Sequence, residues 1–235
     1  MIDLGSVRRA VRKRAHPRKA EVLRRFFKTG PGEYAEGDRF LGLTVPVVRE
    51  LVREFRRAPL PTVRGLVASD IHEERLLGLL LLVERYRGGS PREREAIYRT
   101  YLRSFRHINN WDLVDATAEH IVGAHLANRD PAPLRRWARS NHLWTRRIAI
   151  VSTFHGIRRN RFSPTLGIAQ ILLRDPHDLI HKAVGWMLRE VGKRDGAALE
   201  RFLRKHFRDM PRTMLRYAIE RLPERRRRAY LEGTV

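Results

Sequence analysis

The sequence predicts an all-α fold: a superhelical α-α solenoid of HEAT-like helical repeats with a concave basic face. Three observations carry that expectation. Helix-start signals recur along the whole chain, no stretch sustains the period-two alternation of a half-buried strand, and helical segments fall into short–long pairs. The pairs recur at roughly 30–40 residues, the period of HEAT-type repeats, with weak identity between units. One such pair cannot bury its own apolar stripe, whereas stacked pairs share a continuous core and curve around a groove. The expectation is a single domain over 1–235, with a helical N-terminal cap over about 1–60 and paired helices over about 61–235.

Taken in order, Thr44 and Pro46 introduce VVRELVREF, after the one long irregular segment, GPGEYAEGDRFLGL at 30–43. PTVRGLVAS then pairs with EERLLGLLLLVERY. Ser90, Pro91 and Glu93 form a proline-initiated capping box ahead of AIYRTYLRSF. NNWDLVDATAEHIVGAHL reads as one helix with Leu113, Val114, Ala118, Ile121, Val122 and Leu126 on its buried stripe. LRRWARS pairs with LWTRRIAIVSTFHGI, and the helix opened by Ser163-Pro164 pairs with the one after Asp175-Pro176. The breaks RGGSP, NRDP and GKRDG are short.

Lys and Arg total 49 against 26 Asp and Glu, a formal net charge of +23, and 43 of the 49 are arginines. Base composition of a genome exchanges Lys for Arg without raising net charge, so the excess points to a polyanionic partner, nucleic acid first. The absence of cysteine excludes disulfides and thiolate metal sites. The ten histidines form no HExxH pattern, and neither a phosphate-binding glycine loop nor a hydrolase elbow is present. The longest apolar run, GLLLLV at 78–83, is far short of a membrane span, and MIDLGSVRRAVRKRA lacks a signal peptide's apolar core. A cytoplasmic monomer needing no metal or other cofactor is the expectation.

Three stretches hold unusual side chains. Trp111 and Asp115 in NNWDLVD are four apart and share a helix face. Asp112 is explained by the helix terminus, which favours an acid in the first turn. Asp115 lies one turn deeper, and its alternative is a salt bridge to a neighbouring helix. In LWTRRIAI, Arg147 stands three after Trp144 with Ile148 and Val151 inward, so it either projects toward the groove or is an ordinary surface arginine. Lys182, Trp186 and Arg189 follow i, i+4, i+7 spacing as an exposed cationic and aromatic stripe, although Trp186 alone fits a core equally well.

Across VLRRFFKTGPGEYAEGDRFLGL, NNWDLVD, LWTRRIAI and KAVGWMLREVGKRD, the chain resembles the bacterial DNA alkylation repair family of AlkD-like glycosylases. The resemblance implies that Trp111 and Asp115 flank a damaged nucleotide, that Arg147 grips the DNA backbone, and that Trp186 packs against the deoxyribose. Asp115, Trp111 and Trp186 are the catalytic candidates it supplies. Arg146, Arg147, Lys182, Arg189, Phe26 and Lys28 are the DNA-contact candidates. Phe26, in RRFFKT, stands where the best-studied branch has a tyrosine, and the GPGEYAEGD loop marks a distinct branch. The implied reaction is hydrolysis of the N-glycosidic bond of cationic 3-methyladenine and 7-methylguanine in double-stranded DNA, with no closed base pocket. Two alternatives compete: a binder of damaged, distorted or branched DNA without excision, and a HEAT-type scaffold for protein or RNA.

Overall fold

In the computed structural model, which describes residues 2–235, the chain is built from helices in two compact units, one running through Ile121 and one over Val122–Val235. Among the described residues the one β contact is an isolated parallel bridge between Arg39 and Ile71. In the first unit, α1 (Leu4–Lys13), α2 (Pro17–Phe26), α3 (Val45–Glu54) and α4 (Leu60–Val67) precede the long α5 (His72–Gly88), α6 (Pro91–Arg103) and the short α7 (Trp111–Asp115). The α5 helix is buried along most of its length and packs against α3, α4, α6 and α7. At the start of α6, Ser90 Oγ accepts from the Glu93 amide and Glu93 accepts from the Ser90 amide, the reciprocal box expected there.

The second unit comprises α8 (Ala124–Leu126), α9 (Ala132–Trp137), α10 (Leu143–Ser152), α11 (Phe154–Ile157), α12 (Ser163–Ile171), α13 (Asp178–Gly192), α14 (Gly196–His206), α15 (Arg212–Ile219) and α16 (Glu224–Glu232). At its centre α13 packs against α10, α12, α14 and α15. A Cβ at Gly185 would stand 2.5 Å from the Met214 carbonyl oxygen, so the missing side chain is what admits α15 so closely. The pairs α4–α5, α9–α10 and α12–α13 are those anticipated from the sequence, and each packs together within its own unit. This is the helix-pair arrangement of an α-α solenoid.

Two segments expected to be single helices are interrupted. Residues 111–126 break after α7, tighten through a turn at Ala116–Thr117, and continue as a π-helical stretch over Glu119–Gly123. The Thr117 hydroxyl donates back to the Leu113 carbonyl at 2.5 Å, a bond that competes with helix propagation. Residues 143–157 break at Thr153, where Ser152 and Thr153 hydroxyls donate to the Ile148 and Ile150 carbonyls.

Candidate functional site

In NNWDLVD, Asn110 is fully buried and extended, and its side-chain oxygen accepts from the Trp111 amide at 2.8 Å, starting α7 where the sequence placed a helix. Leu113 and Val114 are fully buried. Trp111, Asp112 and Asp115 are each half-buried, so Trp111 and Asp115 bound one short helix a single turn apart.

Trp111 rests on a pile of rings. Phe27 stacks on it at 5.3 Å, Phe40 on Phe27 at 5.1 Å, and the His72 imidazole on Phe40 at 4.5 Å. Phe26, 60% exposed, meets Trp111 edge-on at 5.9 Å, so the two consecutive phenylalanines embrace the indole from different sides. Lys28 follows with φ of 55°, a left-handed turn that carries the chain from α2 into the 30–43 loop, and its side chain is exposed.

Beneath the rings lies a buried charge network that the sequence reading did not find. His72 Nδ1 lies 2.9 Å from Asp38 Oδ2 and its Nε2 lies 2.8 Å from Asp112 Oδ2, while Arg75 donates to Asp38 Oδ1 at 2.6 Å. Burial alone would lower the His72 pKa. The Asp112 charge and the hydrogen bonds that the ring donates to Asp112 and Asp38 outweigh it and raise the value to about 9, so the ring is an imidazolium at neutral pH. Burial pushes the Asp38 carboxyl up, but its bond to His72 and the charge of Arg75 hold it below the usual carboxylate range. Asp112 therefore does more than complement a helix terminus. It joins α7 to the first turn of α5.

The same turn anchors the 30–43 loop. Glu73, buried, accepts from the amides of Leu41, Gly42 and Leu43 at 2.7–3.1 Å. Gly42 has φ of +88°, and a Cβ there would lie 2.2 Å from the His16 carbonyl oxygen, so no other residue fits this clasp. Glu74 takes Arg8 and the Ser69 hydroxyl. The signal available in the sequence was HEER, four charged or polar residues opening the helix that runs on into GLLLLV. Weighing histidines only as metal ligands passes over it. Among the described residues no group of three His, Cys, Asp or Glu is placed to hold a metal ion.

Close to Asp115, the fully buried Tyr101 hydroxyl shares a 2.8 Å hydrogen bond with Thr117 Oγ1. Burial, with the Asp115 charge adding to it, pushes its pKa up, so the phenol stays neutral.

In the second unit, Arg147 is buried and donates to the Leu179 carbonyl. Arg146 is nearly buried and directs its donors to both Asp175 oxygens, at 2.6 and 3.3 Å, and to the Ser140 and Asn141 carbonyls. The Asp175 bonds tie it to the turn ahead of α13, and the two carbonyl bonds tie it to the turn ahead of α10. Asp175 is thereby occupied, and His177 caps α13 instead. The expected Lys182–Trp186–Arg189 stripe is largely neutralised: Lys182 pairs with Asp178 at 2.7 Å and Arg189 pairs with Glu220. Trp186 is half-buried and meets Phe154 edge-on at 5.6 Å, and Arg158 sits 4.6 Å above the Phe154 ring.

Among known proteins, a solved structure described as a predicted DNA alkylation repair enzyme from Enterococcus faecalis shares this fold, with a TM-score of 0.71 and 17% identity. The likeness covers 90% of this chain and 98% of that one. No curated protein matches the sequence. The family model described as DNA alkylation repair enzyme matches residues 7–222. By that match, which spans most of its length, the chain belongs to the DNA alkylation repair enzyme family.

Proposed function

We propose that this protein is a monofunctional DNA glycosylase that hydrolyses the N-glycosidic bond of cationic alkylated purines, 3-methyladenine and 7-methylguanine, in duplex DNA. The observation that carries the reading is the pairing, on α7, of a half-buried carboxylate, Asp115, with an indole, Trp111, one turn away. Family membership and a formal charge of +23 supply the context of repair and of a polyanionic substrate.

A neutral purine must be protonated as it leaves, which requires a tuned general acid. A cationic purine takes the electron pair of the breaking C1′–N bond and departs neutral, so no acid is needed. The positive charge then resides on the sugar. The Asp115 carboxylate stabilises it, as carboxylates do at other oxocarbenium-like centres. Water adds to C1′ and loses its proton to the carboxylate or to solvent, leaving an abasic sugar. The Trp111 face attracts sugar C–H groups as they become electron-poor and forms an apolar wall on its side of the sugar. In the second unit Arg147 and Trp186 are the proposed backbone and sugar contacts. Phe26, beside Trp111, and the exposed Lys28 are proposed DNA contacts of the first.

The test is Asp115→Asn, which keeps the shape and removes the charge. Release of 7-methylguanine from methylated duplex, at saturating enzyme, is expected to fall about 10²-fold, corresponding to roughly 2.7 kcal/mol of electrostatic stabilisation. An active wild type with an equally fast variant overturns the role of Asp115. A wild type that binds the duplex and releases no base replaces the enzyme reading with that of a non-catalytic DNA binder.

A further inference from the structure

Resting on that reading of α7, we propose that His72 is a positioning residue: through Asp112 it fixes α7, and so sets Trp111 and Asp115, against the 30–43 loop. A five-residue helix does not hold itself, because nucleation leaves it without enough internal hydrogen bonds. Its position must come from outside. Asn110 supplies the start, and Leu113 and Val114 supply the apolar grip. Neither fixes how far the polar face of α7 stands from the rings beneath Trp111.

His72 does so by geometry. Its two ring nitrogens each face a carboxylate oxygen, Asp38 from the loop and Asp112 from α7, and the ring itself is layered with Phe40 and Phe27. A neutral imidazole has one N–H and would turn a lone pair toward one of these carboxylates; only the imidazolium donates to both. The charged groups that face it are few. The loop contributes Asp38, α7 contributes Asp112, and its own helix contributes Arg75, which binds the other Asp38 oxygen. The neighbouring Glu73 and Glu74 are turned to the 41–43 amides and to Arg8 with Ser69. Phe27, which follows α2, and Phe40 of the loop meet the ring with uncharged faces. Two buried cations thus match two carboxylates. Asp112 Oδ1 is buried without a hydrogen-bond partner, which leaves His72 as the tether that holds this carboxylate.

The consequence is that the charge of His72 sets the register of the Trp111 ring and of Asp115 on the same helix. Misplacing a reacting group by about 1 Å can cost up to roughly 10²-fold in rate. For His72→Gln, which keeps one hydrogen bond and loses the cation, base release at saturating enzyme is expected to fall about tenfold with duplex affinity little changed.

The experiment uses the full chain labelled with 5-fluorotryptophan, the Trp111 resonance being assigned by its loss in Trp111→Phe. In the wild type the Trp111 signal is expected to move with pH in step with the His72 ring, assigned by ¹⁵N imidazole spectra, with a midpoint near the His72 pKa of about 9. In His72→Gln the Trp111 signal is displaced at every pH and the alkaline step disappears; Asp112→Asn removes the step in the same way. A His72 ring that is neutral at pH 7, or a Trp111 signal indifferent to its titration, overturns the proposal whatever the activity. The spectra judge the tether in a protein that releases no base, whereas failure of base release alone falls on the glycosylase reading.

Discussion

The buried network makes a stability prediction whose size follows from the His72 pKa. The folded value is about 9, raised from 6.5 in the absence of structure. A raised pKa means that the folded state binds the proton more tightly than the unfolded chain. The resulting stabilisation is fully present below about pH 6.5 and is lost as pH rises through about 9. The full difference amounts to about 3 kcal/mol at 1.36 kcal/mol per pKa unit, and the side chain is 2% exposed, so solvent screening removes little of it. About 2 kcal/mol of this is still present near pH 7.5, and almost none near pH 9.5. Urea unfolding of wild type and His72→Gln, followed through the fluorine signal of Trp111, reports the first unit directly. The wild type is expected to lose about 2 kcal/mol between these pH values, while His72→Gln, already less stable, loses none of that increment. Parallel declines in the two proteins would show that some other group titrates and that His72 is not the buried cation the geometry requires.

Duplex affinity should fall steeply between about 50 and 200 mM salt, as phosphate neutralisation demands, and an affinity unchanged over that range argues against a DNA groove. Arg147→Ala, measured by the same binding assay and by thermal melting, should weaken damaged and undamaged duplex alike. Because Arg147 is buried and donates to the Leu179 carbonyl, the variant should also lose about 1–3 kcal/mol of stability. Loss of affinity confined to damaged DNA would contradict a backbone contact.

What was legible in the sequence was local. Ser90 and Glu93 announce their box because both partners lie within one turn, and Trp111 and Asp115 announce a shared face by their spacing. The helix breaks near Thr117 and Thr153 were hidden because a hydroxyl's choice between solvent and a carbonyl depends on burial that only the packed unit provides. The charge network was hidden for another reason. Its members come from positions 38, 72, 75 and 112, and nothing local links a loop aspartate to an acid at a distant helix start. Arg146 and Arg189 have partners that the local sequence does not announce: Asp175 and Glu220, each about thirty residues away, pair with them.

An acid beside a tryptophan in so basic a chain then has a physical account. Among the described residues the buried carboxylates are Asp38, Glu73, Glu74, Glu119 and Glu190, while the buried arginines are Arg75 and Arg147. The interior therefore draws more on the scarce acids than on the abundant cations, and the solvent-facing charge is more positive than the formal +23 indicates. Most of the inward acids serve as internal acceptors: Glu73 for loop amides, Glu74 for Arg8 and Ser69, Asp38 for His72 and Arg75. Such acids hold secondary structure in place and are shielded from phosphates, so they do not oppose DNA binding as exposed carboxylates would. Asp115 differs from them in being half-buried at the end of a short helix beside a half-buried indole. On the glycosylase reading, the Asp115 carboxylate stabilises the charge that develops at the sugar of a departing cationic base.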